Sequence, residues 1–421
     1  MLDEGAADMA DLLHISRLGA QGDGIAETPD GPVYVGYTLP GEEVRAVVAE
    51  GRGRLVEVVR ASGVRISPPC PLFSRCGGCA VQHMARAAYL DWKHDIVLQA
   101  LRARALAGEV DPVREIGERT RRRAVFAARR TRKTVQFGFH APRAHGVIDL
   151  ADCDCRLLHP AIMQAVPGLK QLVAPLLSRR GEIRISVTLA ENGLDVVLGD
   201  VARELSAEQR RALAADATAL GILRFSIAGE VIASQAEPLV NFAAVGVPLP
   251  VGTFLQASAE ADRIMADLVL DALAQSRHVL DLFCGLGTLS LAIARRARVT
   301  AIDSDRDAIA ALARAVRLAQ GLKPLQVRVR DLFCEALADK ELAGFDAVVF
   351  DPPRAGARRQ AEALAASDVP LVIALSCNPA TLARDLRILV DGGYRLQRVM
   401  PIDQFLYSAH VEAVAVLRRQ C

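Results

Sequence analysis

The sequence is poor in aromatic residues and has no excess of charge of either sign. Aromatic side chains make up 4% of the 421 residues, with a single tryptophan, so a hydrophobic core has to be mostly aliphatic. Lysine and arginine total 51 and aspartate and glutamate 49, for a net charge of +2. Any affinity for a polyanion therefore has to come from local clustering of basic residues.

Features that mark membrane-bound or exported proteins are also missing. No apolar run reaches the roughly 18 residues that a membrane helix needs. Residues 1–8 are acidic and lack the basic and apolar segments of a signal peptide. We therefore expect a cytoplasmic protein without membrane contact. In that compartment cysteines serve metal binding or catalysis more often than disulfides.

Five of the nine cysteines fall in one part of the chain. They are Cys70, Cys76, Cys79, Cys153 and Cys155. The spacing Cys70-x5-Cys76-x2-Cys79, with one distant cysteine, is typical of a four-thiolate site. Zinc and an iron–sulfur cluster both suit such a site, and Cys153 and Cys155 are both candidates for the fourth ligand.

Changes in sequence pattern divide the chain into three segments. Residues 12–65 have short strand patterns broken by glycine and proline, which predicts a small β-barrel. Residues 66–250 begin with the cysteines and continue as basic strands and short helices, an α+β pattern. Residues 251–421 repeat strand–helix units, which predicts an α/β domain with a mostly parallel sheet covered by helices on both faces.

A glycine-rich turn follows the first strand of the last segment. The strand 278–283 leads into Cys284-Gly285-Leu286-Gly287-Thr288, and Asp303 ends the next strand, 303 − 281 = 22 residues after Asp281. An acid at that position can bind ribose hydroxyls. The third glycine that dinucleotide sites prefer is missing, and the pattern resembles the first motif of S-adenosylmethionine methyltransferases. The alternative is a helix-entry turn with a capping aspartate.

Two later strands end in groups suited to catalysis. Asp351 precedes Pro352 and Pro353, which stiffen the turn, and Arg354 follows where amine-methylating enzymes have an aromatic residue. Cys377 ends the next strand, at the edge where open α/β sheets bind ligands. A thiol there needs activation, which we expect from its turn and the following helix N-terminus. The alternative is an inert buried cysteine.

The last strand begins near Glu412. In this class of sheet it runs antiparallel to the others, which brings Glu412 to the same edge as Cys377 and Asp351. A buried carboxylate is a candidate general base, and the alternative is a salt-bridged strand end. A nucleophilic thiol, a base and a sulfonium cofactor suit one reaction, the methylation of carbon 5 of uracil through addition to carbon 6.

Several sequence runs together resemble the RNA uracil-C5 methyltransferase family. They are Phe254-Leu255-Gln256, 281–287, 351–356, Ser376-Cys377-Asn378-Pro379-Ala380-Thr381-Leu382-Ala383-Arg384-Asp385 and His410-Val411-Glu412. The resemblance implies S-adenosylmethionine as methyl donor, a Rossmann-like domain with a seven-stranded sheet, Cys377 as nucleophile and Glu412 as base. It also implies cofactor contacts by Gln256, Phe283, Thr288, Asp303, Asp331 and Asp351. Ser258, Thr288 and Asp303 depart from residues that are common in relatives.

The resemblance extends to the cysteines and to the N-terminal segment. It implies a [4Fe–4S] cluster held by Cys70, Cys76, Cys79 and Cys155, since Cys155-Arg156-Leu157-Leu158-His159-Pro160 matches the family pattern. Residues 12–65 resemble a TRAM domain, an RNA-binding barrel, in which Tyr34 and Tyr37 are candidates for base stacking or for the core.

A basic block without a single acid points to RNA as partner. It comprises Arg119, Arg121, Arg122, Arg123, Arg129, Arg130, Arg132 and Lys133, with Phe126, Phe137 and Phe139 within or beside it. Phosphate contact with base stacking is the functional interpretation. The alternative is a solvated charged face.

The leading hypothesis is a monomeric 23S rRNA (uracil-C5)-methyltransferase without an obligate protein partner. The family resemblance implies this substrate, because the longer 23S rRNA enzymes have both the cysteine motif and the barrel. One alternative is the same chemistry on tRNA. Others are a non-catalytic iron–sulfur RNA-binding factor and a small-molecule methyltransferase, which leaves the barrel and the arginines unexplained.

Overall fold

The computed structural model describes residues 10–179, 181–199, 201 and 205–420. The acidic residues 1–8 discussed above lie outside the described residues. None of the helices in the described ranges combines the length and the apolar character that a membrane crossing requires.

Six short strands near the N-terminus form one sheet. They are β1 (Asp11–His14), β2 (Arg17–Leu18), β3 (Gly24–Thr28), β4 (Gly31–Val35), β5 (Glu43–Ala49) and β6 (Arg52–Arg60). Their order is β1-β5-β6-β4-β3-β2. Val33, Val35 and Val44 share a small core, because alternate residues of a strand face the same side. The identification of this sheet as a TRAM barrel stays a prediction.

The cysteine-bearing loop leads from this sheet to helix α1 (Arg86–Arg102) and to strand β7 (Glu109–Val110). On α1, Lys93, Val97 and Leu101 are buried at a spacing of four residues, which puts them on one face of the helix. Val97 and Leu101 pack into a core of the C-terminal sheet. The helix therefore joins the middle of the chain to its last segment.

The central sheet has seven strands. They are β8 (Arg123–Arg130), β9 (Val135–His140), β10 (Val147–Asp149), β11 (Glu182–Ala190), β12 (Gly193–Leu198), β13 (Arg224–Ile227) and β14 (Glu230–Ser234). Their order is β10-β9-β8-β11-β12-β13-β14. Helices α2 (Pro160–Val173) and α3 (Ala207–Ala219) pack on the sheet, and a 3₁₀ turn (Ala174–Leu176) follows α2.

The C-terminal segment alternates strands and helices. Its elements are β15 (Leu239–Phe242), β16 (Val245–Pro248), α4 (Ala259–Leu273), β17 (His278–Leu282), α5 (Thr288–Ala294), β18 (Arg298–Asp303), α6 (Arg306–Leu318), β19 (Leu325–Val329), α7 (Asp339–Leu342), β20 (Ala347–Phe350), α8 (Arg358–Ala366), β21 (Leu371–Ser376), α9 (Pro379–Asp391), β22 (Tyr394–Ile402) and β23 (Glu412–Arg419). β15 and β16 form a hairpin.

The main sheet has the order β19-β18-β17-β20-β21-β23-β22-β7. Strands β17 to β21 are parallel, and β23 is antiparallel to β21. This confirms the predicted α/β domain with a mostly parallel sheet and an antiparallel last strand. The predicted number of seven strands was wrong by one, because β7 pairs with the edge of β22 and covers backbone groups that an edge strand leaves unpaired.

Two hydrophobic cores cover the two faces of this sheet. Val279, Val299 and Val349 face helices α4, α5 and α6, whereas Leu280 and Val348 face α8, α9 and α1. The hairpin β15–β16, which falls in the predicted central segment, packs into the first of these cores. Residues on both sides of position 250 therefore build the scaffold that positions the site.

Candidate active site

One cleft of about 700 Å³ lies at the carboxyl ends of the parallel strands. Its opposite wall comes from the central sheet, through Arg121, Arg123 and Phe139. The predicted site residues along it are Gln256, Phe283, Thr288, Asp303, Asp351, Cys377 and Glu412. Residues from strands far apart in sequence therefore meet in one place, as the strand-end argument predicts.

The glycine turn after β17 is fixed by its backbone and by Asp303. Phe283 has a φ of +61° and Gly287 a φ of +87°. A Cβ on Gly287 would lie 2.5 Å from Leu312 Cδ1, so a side chain there is both strained and obstructed. The backbone N–H of Gly285 donates to Asp303 Oδ2 at 2.9 Å. Asp303 thus holds the turn beside the cleft.

Asp331 is exposed and acts on the cleft through the turn that follows it rather than by lining it. Its Oδ1 accepts hydrogen bonds from the backbone N–H groups of Phe333 (2.9 Å) and Cys334 (3.1 Å). The ring of Phe333 lines the cleft, and its centroid is 5.4 Å from that of Phe283. Phe333 is a lining residue that sequence reasoning missed. The available signal was a large apolar residue two positions after a strand-end acid.

Two acidic groups of the cleft have no cationic partner in the described part of the chain. Asp281 is buried and accepts a hydrogen bond from Ser290 Oγ at 2.5 Å. Burial raises the pKa of Asp281 to about 7. Burial, and then the charge of Asp262, raise the pKa of Asp351 to about 7. Buried carboxylates without a counter-ion favour a positively charged ligand, such as a sulfonium.

Glu412 begins β23 and is 1% exposed. Burial, with a further contribution from Asp351, raises its pKa well above the usual range. Its Oε2 accepts a hydrogen bond from Gln404 Nε2 at 3.2 Å, and its Oε1 has no partner in the described ranges. Such a carboxyl group is suited to exchange a proton with a ligand in the cleft.

Cys377 follows the last residue of β21 and is half-buried. Burial raises the pKa of its thiol, Glu412 and Asp351 add to this effect, and Arg354 opposes it. Activation of the thiol by the helix N-terminus stays a prediction. Asn378 caps that helix by accepting from the backbone N–H of Ala380 at 3.1 Å, and Arg354 lowers the pKa of the thiol against the effect of burial.

The run around Cys377 also braces the turn after Asp351. The side chains of Asn378 and Thr381 each donate to the carbonyl of Arg354 at 3.2 Å. Asp385 Oδ2 accepts from the backbone N–H of Ala357 at 2.6 Å. The two strand ends that flank the cleft are thereby locked together, so these motif residues act by positioning Arg354 and Asp351 relative to Cys377.

Part of the predicted RNA-binding block is structural. Arg122 is buried in an ion pair with Asp262, and its Nε donates to the carbonyl of Gln256 at 3.3 Å. Arg119 pairs with Asp154, and Arg130 donates to carbonyls at the end of α2. Arg122 thus holds the Gln256 loop. Arg132 and Lys133 are exposed in the turn between β8 and β9.

Two of the three phenylalanines in or beside the basic block are also structural. Phe126 and Phe137 are 1% and 0% exposed and belong to the core of the central sheet, so the prediction that they stack on bases was wrong. The alternation of strand β8 explains this, because Phe126 faces the core while its neighbours Val125 and Arg123 face the cleft. Phe139 is partly exposed and lines the cleft.

The five clustered cysteines line one small cavity. They are Cys70, Cys76, Cys79, Cys153 and Cys155. The sulfur atoms of Cys70 and Cys153 lie 3.9 Å apart. No group of three or more metal-binding side chains meets at a single ion position in the described ranges. A four-iron cluster binds each thiolate through a different iron, so thiols arranged around a volume fit it better than a single ion.

A buried polar network attaches helix α1 to the loop before Glu412. Lys93 Nζ lies 2.9 Å from Asp403 Oδ1, with both side chains fully buried. Tyr89 donates to the same oxygen at 2.6 Å, and its hydroxyl accepts from the backbone N–H of Tyr407 at 2.9 Å. Sequence reasoning missed these residues, although a lysine in line with Val97 and Leu101 was a signal.

Comparison with known proteins gives matches along the whole chain. The model of the tRNA (Uracil-5-)-methyltransferase family matches residues 248–420. A protein of Brucella suis described as an uncharacterized RNA methyltransferase is 48% identical over 405 residues, which are 96% of this chain and 97% of that protein. The 23S rRNA (uracil(1939)-C(5))-methyltransferase RlmD of Alkalilimnicola ehrlichii is 33% identical over 441 residues, covering 96% of each chain.

One solved structure has a similar fold over the whole chain. It is the Pyrococcus abyssi tRNA (uracil-54, C5)-methyltransferase in complex with S-adenosyl-L-homocysteine, with a TM-score of 0.75. It is 20% identical in sequence, and the match covers 98% of this chain and 100% of that one. At this identity the likeness establishes the fold.

Proposed function

The chain belongs to the family of RNA (uracil-5-)-methyltransferases, which depend on S-adenosylmethionine, and we propose that it methylates carbon 5 of a uridine in 23S rRNA. The observation that supports this most is the convergence of Cys377 and Glu412 in one cleft with the unpaired acids Asp281 and Asp351. The choice of 23S rRNA rests on the full-length similarity to RlmD.

In the proposed reaction Cys377 is the nucleophile. Its thiolate, favoured by Arg354, adds to carbon 6 of the uracil, and the electrons of the carbon 5–carbon 6 bond move to form an enolate. S-adenosylmethionine supplies the methyl group that carbon 5 takes. Glu412 then removes the proton from carbon 5, the double bond forms again, and the sulfur leaves carbon 6 as the thiolate.

The donor site is formed by the predicted cofactor residues. We assign Gln256, Phe283, Thr288, Asp303 and Asp351 to direct contact with S-adenosylmethionine, since all of them line the cleft. Asp281 and Asp351 offer the sulfonium a negative environment. We assign Asp331 an indirect part through the turn that presents Phe333.

A groove on the other side of Cys377 suits the RNA. It is lined by Arg17 of the N-terminal sheet, Trp92 of α1, Arg354, Cys377 and His410. Because Cys377 and Arg354 border both the groove and the donor cleft, a flipped base in the groove can meet the methyl donor at the thiol. This position supports RNA contact by residues 12–65, as proposed for a TRAM domain.

We further propose that Cys70, Cys76, Cys79 and Cys155 hold a [4Fe–4S] cluster. Such a cluster supplies a cross-link between the loop 70–79 and the segment around Cys155, and no step of the reaction passes through it. The backbone N–H of Gly77 already donates to the carbonyl of His140 at 2.8 Å, so the loop lies against the end of strand β9 of the central sheet. The segments 12–65, 66–250 and 251–421 are the corresponding domains, in a cytoplasmic monomer.

Methyl transfer to defined RNAs tests the proposal. Protein purified without oxygen is mixed with S-adenosylmethionine and unmodified 23S rRNA or tRNA, and nucleosides are analysed by mass spectrometry. We expect 5-methyluridine in 23S rRNA and none with Cys377→Ala. Product in tRNA alone would replace the substrate and keep the chemistry. No product in either RNA, with cofactor bound, would favour a non-catalytic RNA-binding factor.

A further inference from the structure

Gln404 connects the acid that begins β23 with the acid that ends β20. It is 6% exposed. Its Nε2 donates to Gln256 Oε1 at 3.0 Å and to Glu412 Oε2 at 3.2 Å. Gln256 in turn donates from its own Nε2 to Asp351 Oδ2 at 3.1 Å. Two glutamine amides therefore bridge two carboxyl groups that lie at the same edge of the sheet.

The direction of this chain follows from the chemistry of its members. In the structure Gln256 turns its nitrogen to Asp351 and its oxygen to Gln404, which is the arrangement that ionised carboxylates require because they accept hydrogen bonds and an amide nitrogen donates them. Gln404 then offers Gln256 a nitrogen, which leaves the second N–H of that nitrogen for Glu412. The arrangement makes Gln404 a hydrogen-bond donor to Glu412.

A hydrogen-bond donor at this position favours the ionised form of Glu412, which the rest of the site disfavours. The titratable groups that face it are Asp351 and Cys377, both of which repel its negative charge when ionised, and Arg354 lies beside Cys377. Burial is the largest cause of the raised pKa of Glu412 and likewise disfavours its ionised form. A hydrogen bond donated to the ionised carboxylate favours the form that can accept a proton.

The backbone that bears Gln404 is held independently of the cleft. The preceding residue, Asp403, is paired with Lys93 of α1, and its backbone N–H donates to the carbonyl of Arg114 at 2.8 Å. Since the main chain is fixed at the neighbouring residue, the amide of Gln404 can hold one direction. The carboxylate of Glu412 then has one oxygen bound and the other, Oε1, free of partners among the described residues.

We propose that Gln404 is a positioning residue that orients the carboxylate of Glu412 for removal of the carbon 5 proton and links it through Gln256 to the donor site. The inference rests on the proposed function, because it assumes that Glu412 is the base. It assigns Gln404 to the last half of the reaction, after the methyl group has been transferred. It gives Gln404 no part in the attack by Cys377.

A variant that removes only the hydrogen-bond donor of Gln404 tests this proposal. Gln404→Met keeps the length and apolar volume of the side chain. In single-turnover reactions with 23S rRNA we expect a covalent protein–RNA adduct to accumulate and the formation of free product to slow by about 10–100-fold near neutral pH. Raising the pH should recover part of this rate, because it restores the ionised form of Glu412.

Two controls separate this role from a general loss of structure. RNA with 5-fluorouridine at the target needs no proton removal before the adduct is trapped, so Gln404→Met should form that adduct at the wild-type rate. Gln360→Met removes another buried glutamine, which donates to the carbonyl of Leu332 at 2.6 Å. This control should lose stability without accumulating adduct on normal RNA.

The outcomes distinguish failure of the role proposed for Gln404 from failure of the proposed function. If the wild-type protein methylates uridine and Gln404→Met behaves like it, or loses adduct formation on 5-fluorouridine RNA equally, the role of Gln404 is refuted and the function stands. If the wild-type protein makes no 5-methyluridine in any RNA, or Cys377→Ala still makes it, the proposed function fails and this inference with it.

Discussion

Two sets of buried charges around the cleft differ in how they are paired. At the sheet edge, Asp281, Asp351 and Glu412 lie in the cleft without a cationic partner in the described ranges. Outside the cleft lining, the central part of the chain supplies buried cations that are paired with acids of the C-terminal segment, as in Lys93–Asp403 and Arg122–Asp262. The edge acids are therefore available to react, and the buried pairs hold the segments that carry the site.

This difference separates the groups that react from the groups that position them. An unpaired buried acid lowers stability and becomes useful only when a substrate or cofactor arrives. A paired buried ion is strongly destabilising only when its partner is removed. Substitution of an edge acid should therefore leave stability unchanged or raise it, whereas breaking a buried pair should lower it, and the larger loss of turnover should come from the edge.

The largest expected effect is on the sheet edge. Glu412→Gln removes the proposed base, so turnover should fall by about 10³–10⁴-fold, with the RNA adduct left on Cys377. Because burial disfavours the ionised form of Glu412, replacing this acid with a neutral amide should leave the free energy of unfolding at neutral pH unchanged or slightly higher. Urea denaturation and single-turnover assays check both. A clear loss of stability would show that Glu412 is a structural group. It would contradict the contrast between the reactive acids of the sheet edge and the buried pairs.

In the buried pair Lys93–Asp403, Lys93→Met should mainly lower stability. Removing one partner of a buried pair typically costs about 3–5 kcal/mol, and we expect about 3 kcal/mol because Arg86 also lies 3.2 Å from Asp403. Urea denaturation measures it. The double variant Lys93→Met/Asp403→Leu should recover much of the loss, since no charge stays unpaired. A cost below about 1 kcal/mol would contradict the view that this pair braces the loop before Glu412.

The edge groups and the buried pairs also differ in how well they could be predicted from sequence. Cys377 follows a parallel strand, and the ends of parallel strands share an edge. Glu412 begins an antiparallel strand, and the direction of the last strand in this class of sheet brought it to the same edge. The braces depend on distant partners. Tyr89 and Asp403 are 314 positions apart, and no local pattern links them.

The errors made from sequence have the same origin. Arg122 and Phe137 were assigned to RNA because they fall in or next to a basic run, yet one is buried against Asp262 and the other lies in a core. Burial of a charged residue depends on which element packs on it, and the run itself carries no information about that. The same holds for β7, whose pairing with β22 adds the eighth strand.

A smaller effect should appear in the pH dependence of ligand binding. The pKa values of Asp281 and Asp351 are raised from 3.8 to about 7, so the stability they provide is present below about pH 4 and is lost as the pH rises through about 7. A sulfonium compensates these charges, whereas S-adenosylhomocysteine has none. S-adenosylmethionine should therefore raise the melting temperature more than S-adenosylhomocysteine does. The difference between the two should grow by a few degrees from about pH 5 to about pH 8.

Differential scanning fluorimetry with both ligands at saturation measures this. Asp351→Asn serves as the control, because in this variant the difference in melting temperature between the two ligands should increase less with pH. Equal stabilisation by the two ligands at every pH would mean that the acids of the sheet edge do not face the sulfonium, and the donor site would need a different orientation.

The smallest expected effect concerns the exposed part of the basic block. Arg132 and Lys133 are exposed and have no ion pair in the described ranges, unlike Arg122. If they contact phosphates, Arg132→Ala/Lys133→Ala should weaken RNA binding by about 3–10-fold and reduce the slope of log affinity against log salt by about 1–2. Stability and single-turnover rate at saturating RNA should stay as in the wild type. An unchanged salt slope would leave these residues as a solvated turn, and would shift RNA contact to the groove beside Cys377.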